Sequence, residues 1–332
     1  MDEPVFRTPV RTKAWSFQIG HRSGVVALGS CFADSIGNRL KDSKFKVSVN
    51  PGGIIYNPLS IHRLIGHAVS GTAPGPDAFL ERDGRWYCYD VHSSVFSDHP
   101  DTLHQNLKRI SEDLHRLLSE AGYVMITYGT AWIHRRRDNG DVVANCHKVP
   151  SHRFERSLLS EDEVVTSFHG MRESLLSINP RLRFILTVSP VRHLADTAEG
   201  NQVSKSVLRL ACHRITERCD EAVYFPAYEI MMDDLRDYRF YAADMIHPSE
   251  TALDYIWSVF QRVAFSLQTR DLIERWMRVR KSLTHRPFHP KSETHRTFLQ
   301  ELHTELIRLS GHLDVSQEIA ELERYHDYGS DA

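Results

Sequence analysis

Val25-Val26-Ala27-Leu28-Gly29-Ser30-Cys31-Phe32-Ala33 is where the architecture can first be read. Four consecutive apolar residues end in Gly-Ser, and from Phe32 to Leu40 apolar positions recur at helical spacing. The segment reads as a strand, a tight turn and a helix, with Ser30 at the turn.

The same alternation continues outward. Lys46 to Val49 reads as a second strand, closed by the turn signal Asn50-Pro51-Gly52-Gly53. A helix follows from Leu59 to Val69. Ser70 to Gly84 carries Gly, Pro and Asp and reads as a loop, with a short strand at Trp86–Tyr89. Leu103, Leu107, Ile110, Leu114, Leu117 and Leu118 mark a helix over Thr102–Ala121, and a buried strand is expected at Tyr123–Thr127. Asp138 to Asp141 reads as a hairpin tip between Trp132–His134 and Val142–Ala144. Ser160, with Glu163 three residues on, has capping-box spacing and opens a helix running to Ile178. Phe184–Val188 is the next strand, then a helix from about Ser204 to Cys219 and a strand at Ala222–Phe225.

Strands alternating with helices predict an α/β fold. It has three α/β/α layers around a central, mostly parallel five-stranded sheet, and a flavodoxin-like arrangement. In such sheets ligands bind beyond the carboxyl ends of the strands. The residues just after the strands are polar: Gly29-Ser30, Asn50–Gly53, Gly129-Thr130, Ser189–His193 and a longer segment containing Asp244-Met245-Ile246-His247-Pro248-Ser249. From Gln268 the pattern becomes helical and strongly charged, at Arg270–Ser282, Thr294–Leu309 and Ser316–Tyr325. The Pro- and His-bearing link Thr284–Lys291 separates the first two. The expected division is a main domain over 1–267 and a helical extension over 268–332, packed on the domain or used for homo-oligomerisation.

Composition narrows the function. With 41 basic and 43 acidic residues the formal charge is −2, so no basic excess marks a nucleic-acid partner. Met1 to Lys13 lacks the apolar core of a secretory signal, and no run reaches membrane-spanning length. The five cysteines are scattered, without a CxxC pair, which suits a reducing, cytoplasmic setting. Twenty histidines raise the question of a metal site. No HExxH pair occurs, and His62 and His67, five apart, do not share a helical face, so no metal or cofactor is expected.

Two pieces carry chemistry. A serine at a strand-to-helix turn can be exposed at the sheet edge with its own N–H toward a reacting oxygen, although serines there are more often simple N-caps. In Asp244-x-x-His247 a carboxylate can fix the imidazole tautomer and leave the other ring nitrogen to accept a proton. Cys31, adjacent to Ser30, is the rival nucleophile. Successive turn residues point in different directions, so only one of the two can face the base.

The pentapeptide Gly29-Ser30-Cys31-Phe32-Ala33 resembles the motif that names the GSCFA family, within the SGNH/GDSL hydrolase superfamily. Asn145-Cys146-His147-Lys148, Ser189–His193, Tyr224–Glu229, Leu235–Tyr241 and the DMIHPS block extend the resemblance over Val25–Phe265. It implies a serine esterase acting on an O-acyl ester, small or carbohydrate-linked. Ser30 would be the nucleophile, Asp244 and His247 its partners, and Cys31 would pack under the turn. An O-acyltransferase using the same residues and a non-catalytic glycan-associated protein are the alternatives. The implied oxyanion hole combines the Ser30 N–H with Gly53 (Gly52 the alternative) and an asparagine. Where the superfamily has Gly-x-Asn-Asp this chain reads Gly129-Thr130-Ala131-Trp132, so Asn145 is the candidate replacement and Thr130 the runner-up. His147, Lys148, Arg192 and His193 are candidates for substrate binding on the same rim. The run Asp233–Arg239 is expected to form an ion-pair lattice that positions the Asp244–His247 turn.

Overall fold

In a computed structural model of the protein, residues 8–284, 289 and 292–330 are described, the last six as backbone only. Met1–Arg7 of the amino-terminal segment and most of the link Thr284–Lys291 lie outside the described residues.

The chain enters the central sheet at β1 (Gly24–Gly29), turns into α1 (Cys31–Asp42), and returns through β2 (Val47–Val49) to α2 (Pro58–Ser70). A small antiparallel sheet of β3 (Phe79–Arg82), β4 (Arg85–Cys88) and β5 (Phe96–Ser97) precedes α3 (Pro100–Glu120) and β6 (Ala121–Tyr128). A second small sheet of β7 (Trp132–Arg136), β8 (Val142–Val143) and β9 (Phe154–Leu158) follows. Then come α4 (Glu161–Ile178), β10 (Arg183–Val188), α5 (Thr197–Arg218), β11 (Ala222–Tyr224), a short turn α6 (Ala227–Glu229) and α7 (Glu250–Ala264).

β2, β1, β6, β10 and β11 lie side by side in that order, every pair parallel. Counting only these strands the order is 2-1-3-4-5, and the chain reverses its direction of travel across the sheet between β1 and β6. Because strand side chains alternate, β1 feeds two cores. Val26 and Leu28 join α2, α3, α4 and α5 on one face, while Val25 and Ala27 join α1 and α7 on the other. Burial on both faces is what the uninterrupted apolar runs require.

Local signals explain most boundaries. Ser160 and Glu163 make the reciprocal capping box at α4, and Ser249 caps α7 through Ala252 N–H. The structure departs from expectation at three places. β3 lies in the stretch expected to be loop; Asp83 and Gly84 both have positive φ and close a two-residue hairpin to β4. β9 pairs with β7 although its sequence, Phe-Glu-Arg-Ser-Leu, has little alternation. α5 begins at Thr197, seven residues ahead of Ser204. Those first turns are held by tertiary bonds: Trp132 Nε1 donates to Gly200 O, and Asn201 Oδ1 and Ser204 Oγ accept from His193 N and Ala131 N.

Beyond α7, α8 (Leu267–Leu283), α9 (Glu293–Ser310) and α10 (Ser316–Ser330) gather Leu272, Trp276, Val279, Leu302, Leu306 and Leu309 into a separate apolar cluster. Trp276 Nε1 donates to Asp42 O at 2.6 Å and Lys44 Nζ meets Glu318 at 2.7 Å, which docks these helices beside the end of α1. Among the described residues no helix is long and apolar enough to cross a membrane.

Candidate active site

The turn between β1 and α1 is built by close backbone approach. Gly29 has φ +133°, and a Cβ there would sit 2.1 Å from Thr127 O, so only glycine fits. Its N–H donates to Asn50 Oδ1 at 2.8 Å, and Asn50 Nδ2 donates to Asp34 at 2.7 Å, which clamps the end of β2 onto the start of α1.

The next two residues are oriented in reverse of the sequence expectation. Ser30 N–H continues the parallel ladder to Thr127 O at 3.1 Å. That leaves Ser30 as the N-cap of α1, its Oγ accepting from Phe32 N at 3.3 Å and its accessible surface 0%. Cys31, the first helical residue, is only partly buried, and its Sγ lies 3.6 Å from Tyr56 Oη. The residue packed beneath the turn is therefore Ser30, not Cys31.

Tyr56 was not among the sequence candidates. Its carbonyl accepts from both Gly129 N (2.8 Å) and Thr130 N (3.1 Å), so it fills the crevice at the carboxyl ends of β1 and β6. Its ring stands edge-on to His193 with centroids 5.4 Å apart. Burial first, then the neighbouring Cys31 and Asp34, pushes the phenol well above its usual range.

The carboxylate–imidazole pair forms as the spacing implied. Asp244 Oδ1 accepts from Ile246 N and His247 N, while Oδ2 accepts from His247 Nδ1 at 2.7 Å. The backbone bond from His247, then its ring bond, holds Asp244 down at about 2. Both side chains remain nearly half exposed, at 46% and 44%. Ala242 N donates to His247 O and Ser249 N to Phe240 O, and Met245 takes φ +58° at the tip. Arg192 braces the loop: its N–H donates to Ile246 O, its guanidinium to Met245 O, and the guanidinium stacks over Tyr241 and Tyr238. The expected lattice in Asp233–Arg239 is reduced to two exposed local pairs, Arg236–Asp233 and Arg239–Asp237, which contribute little. Asp234 instead accepts from Val10 N and Tyr255 Oη.

His193 connects the two halves. It neighbours Tyr56, and burial, followed by the charges of Lys205 and His247, pushes it down to about 4. Its Nε2 is buried without a hydrogen-bond partner. Below it, the fully buried Lys205 donates to Gly129 O and Ser189 O, both at 2.7 Å, tying the segments after β6 and β10 together. A sequence signal for Lys205 existed: with Leu208, Cys212 and Ile215 it falls on the apolar stripe of α5. For Tyr56 no local signal stood out.

Most of the remaining candidates make structural contacts. Gly53 N–H closes a turn to Asn50 O, and at φ +77° a Cβ there would strike His92. Gly52 packs against Leu64. Asn145 Oδ1 accepts from His147 N, and Thr130 Oγ1 contacts Ser204 Oγ and accepts from Trp132 N. His147 is buried, with Ser93 Oγ at Nδ1 and Cys88 O at Nε2. Lys148 is exposed. His62 is buried between Tyr128 Oη and Ser167 Oγ, and His67 bonds Thr72. Among the described residues no group of three or more His, Cys, Asp or Glu side chains is placed to hold a metal ion. Clefts of about 540 and 530 Å³ lie at the other end of the sheet, around Arg22, Lys41 and Lys46, and neither includes Cys31, Tyr56 or His247.

The chain is an α/β protein whose parallel 2-1-3-4-5 sheet carries a thiol and a phenol at its carboxyl edge, with His193 between them and the loop of the Asp–His pair. The chain belongs to the GSCFA family, which it matches over residues 24–260. Residues 276–326 match the C-terminal domain of GSCFA domain proteins. No curated protein matches the chain.

Proposed function

We propose that this edge is an acyl-transfer centre that cleaves a carboxylic ester, with Cys31 as nucleophile, His247 as base and Asp244 fixing the imidazole tautomer. The observation that carries the reading is the 2.7 Å Asp244–His247 bond, which commits Nδ1 and leaves Nε2 to take a proton. Assignment of the nucleophile follows from the turn. Ser30 would have to leave its cap and its buried position to react, whereas Cys31 is already accessible at the start of α1.

Hydrolysis and transfer to an alcohol share this centre and differ only in what removes the acyl group. The resemblance to SGNH hydrolases supports carbohydrate-linked esters as the substrate class, by analogy of fold. Five unpaired thiols support a reducing, cytoplasmic setting.

The test is turnover of short-chain p-nitrophenyl esters by wild type, Cys31→Ala, Ser30→Ala and His247→Ala, with products identified in the presence of sugar alcohols. Loss in Cys31→Ala and His247→Ala is expected. Full activity in Cys31→Ala together with loss in a folded Ser30→Ala returns the role to the serine. No turnover above background in wild type points to a non-catalytic glycan-associated protein, and turnover indifferent to all three substitutions overturns this site.

A further inference from the structure

We infer that the Tyr56 hydroxyl is the side-chain donor to the oxyanion formed at Cys31, and that the substrate is an uncharged carboxylic acyl group rather than a phosphoryl or sulfuryl one. This rests on the acyl-transfer reading above.

The two backbone donors expected from the sequence are committed elsewhere. Ser30 N–H is bonded to Thr127 O and Gly53 N–H to Asn50 O, while Asn145 Oδ1 accepts from His147 N. Tyr56 supplies what they do not. Its hydroxyl is 3.6 Å from Cys31 Sγ, and its backbone is anchored by the N–H groups of Gly129 and Thr130, in the segment where an asparagine would have stood. Asn57, the next residue, caps α2 and donates to Val143 O, so the segment is fixed from both sides. The phenol stays protonated because burial and the adjacent Cys31 and Asp34 oppose its ionisation. An oxygen on the carbon that Sγ attacks comes within the productive range of about 2.7–3.1 Å when it points to this hydroxyl.

The chemistry balances without a co-reactant. The Cys31 proton passes to His247 Nε2 as the S–C bond forms and the carbonyl π pair moves onto oxygen, which Tyr56 O–H holds. The oxyanion collapses, the ester C–O bond breaks, and the proton on His247 goes to the departing alkoxide. Water, deprotonated by His247, then cleaves the thioester to carboxylic acid and thiol.

Charge argues for the substrate class. Asp34 lies on the Tyr56 side and Asp244 on the His247 side, while burial holds His193 neutral near pH 7. The nearby cations are engaged, Arg192 on Tyr241, Tyr238 and Met245 O, and Lys205 on two carbonyls. A dianionic phosphate ester would meet carboxylates, whereas a neutral ester develops a single charge, which one neutral donor can serve.

Tyr56→Phe keeps the backbone anchors and removes only the hydroxyl. Turnover of p-nitrophenyl acetate should fall about 10²-fold in kcat with KM little changed. Alkylation of Cys31 by iodoacetamide, which forms no oxyanion, should stay within about twofold of wild type, and p-nitrophenyl phosphate should not be turned over. Unchanged kcat in Tyr56→Phe, with Cys31→Ala inactive, overturns the role of Tyr56 and leaves the acyl-transfer reading standing. Alkylation slowed in step with turnover also overturns it, since Tyr56 would then act only on the thiol. Cys31-dependent hydrolysis of p-nitrophenyl phosphate overturns the substrate class, and turnover surviving Cys31→Ala overturns the underlying reading.

Discussion

Asp244 spends both carboxylate oxygens on His247 and its neighbours: Oδ1 takes the N–H groups of Ile246 and His247, and Oδ2 takes the ring Nδ1. The imidazole is thereby held in one tautomer on a loop already braced by Arg192. Asp244→Asn keeps the shape but presents an amide that can stabilise the wrong tautomer. Ester turnover should drop by about 10²–10⁴-fold while binding of substrate changes little. Steady-state kcat and KM for p-nitrophenyl acetate check it. The carboxylate is depressed to about 2, so its contribution to folding is present above about pH 4 and is lost as pH falls toward 2. Mild acid therefore leaves Asp244 ionised.

Ser30 and Cys31 should separate stability from chemistry. Ser30→Ala removes the cap on Phe32 N–H and should cost about 1 kcal/mol in urea unfolding. It leaves the Cys31 thiol available, and a folded variant should still be alkylated by iodoacetamide. Cys31→Ala deletes a partly exposed sulfur, so its stability should lie within about 0.5 kcal/mol of wild type while turnover disappears.

This pair also shows how far the sequence could be read. Apolar runs such as Val25–Leu28 and Phe184–Val188 announce strands locally, and Ser160–Glu163 announces a helix start, so sheet and layers were legible. Which of two adjacent turn residues faces outward depends on the ladder bond from Ser30 N–H to Thr127 O, ninety-odd residues away, and no local pattern encodes it. The same holds for Tyr56, which reaches Cys31 only because Gly129 and Thr130 grip its carbonyl. His147 looked reactive in its motif because its partners Ser93 and Cys88 come from another part of the chain. The Asp244–His247 pair was legible because its geometry is local.

Lys205 makes a prediction at alkaline pH. Burial pushes its ammonium down to about 7, whereas in the unfolded chain it titrates near 10.4. Between these values the unfolded state binds more protons than the native state, so stability from this group rises as pH increases from about 7 to about 10. Lys205→Met removes that dependence. Thermal unfolding of wild type and variant across this window should show a positive difference in slope for wild type, and parallel curves would refute it.

His62 makes a prediction of the same sign in acid. It is enclosed by Tyr128 Oη and Ser167 Oγ, and burial pushes it down to about 3. The unfolded chain takes up this proton near pH 6.5, but the native state stays neutral until about 3, so the native state loses stability progressively across that interval. His62→Gln can still hydrogen bond to Tyr128 or Ser167 but has no proton to gain. It should be less stable than wild type at pH 7, because the fit around a buried ring is lost, by about 1–3 kcal/mol. Its stability should then fall less steeply between pH 6.5 and 4, by close to one proton in the linkage slope. Urea unfolding at half-unit pH steps measures that slope, and an unchanged slope in His62→Gln would mean that this histidine does not set the acid limit.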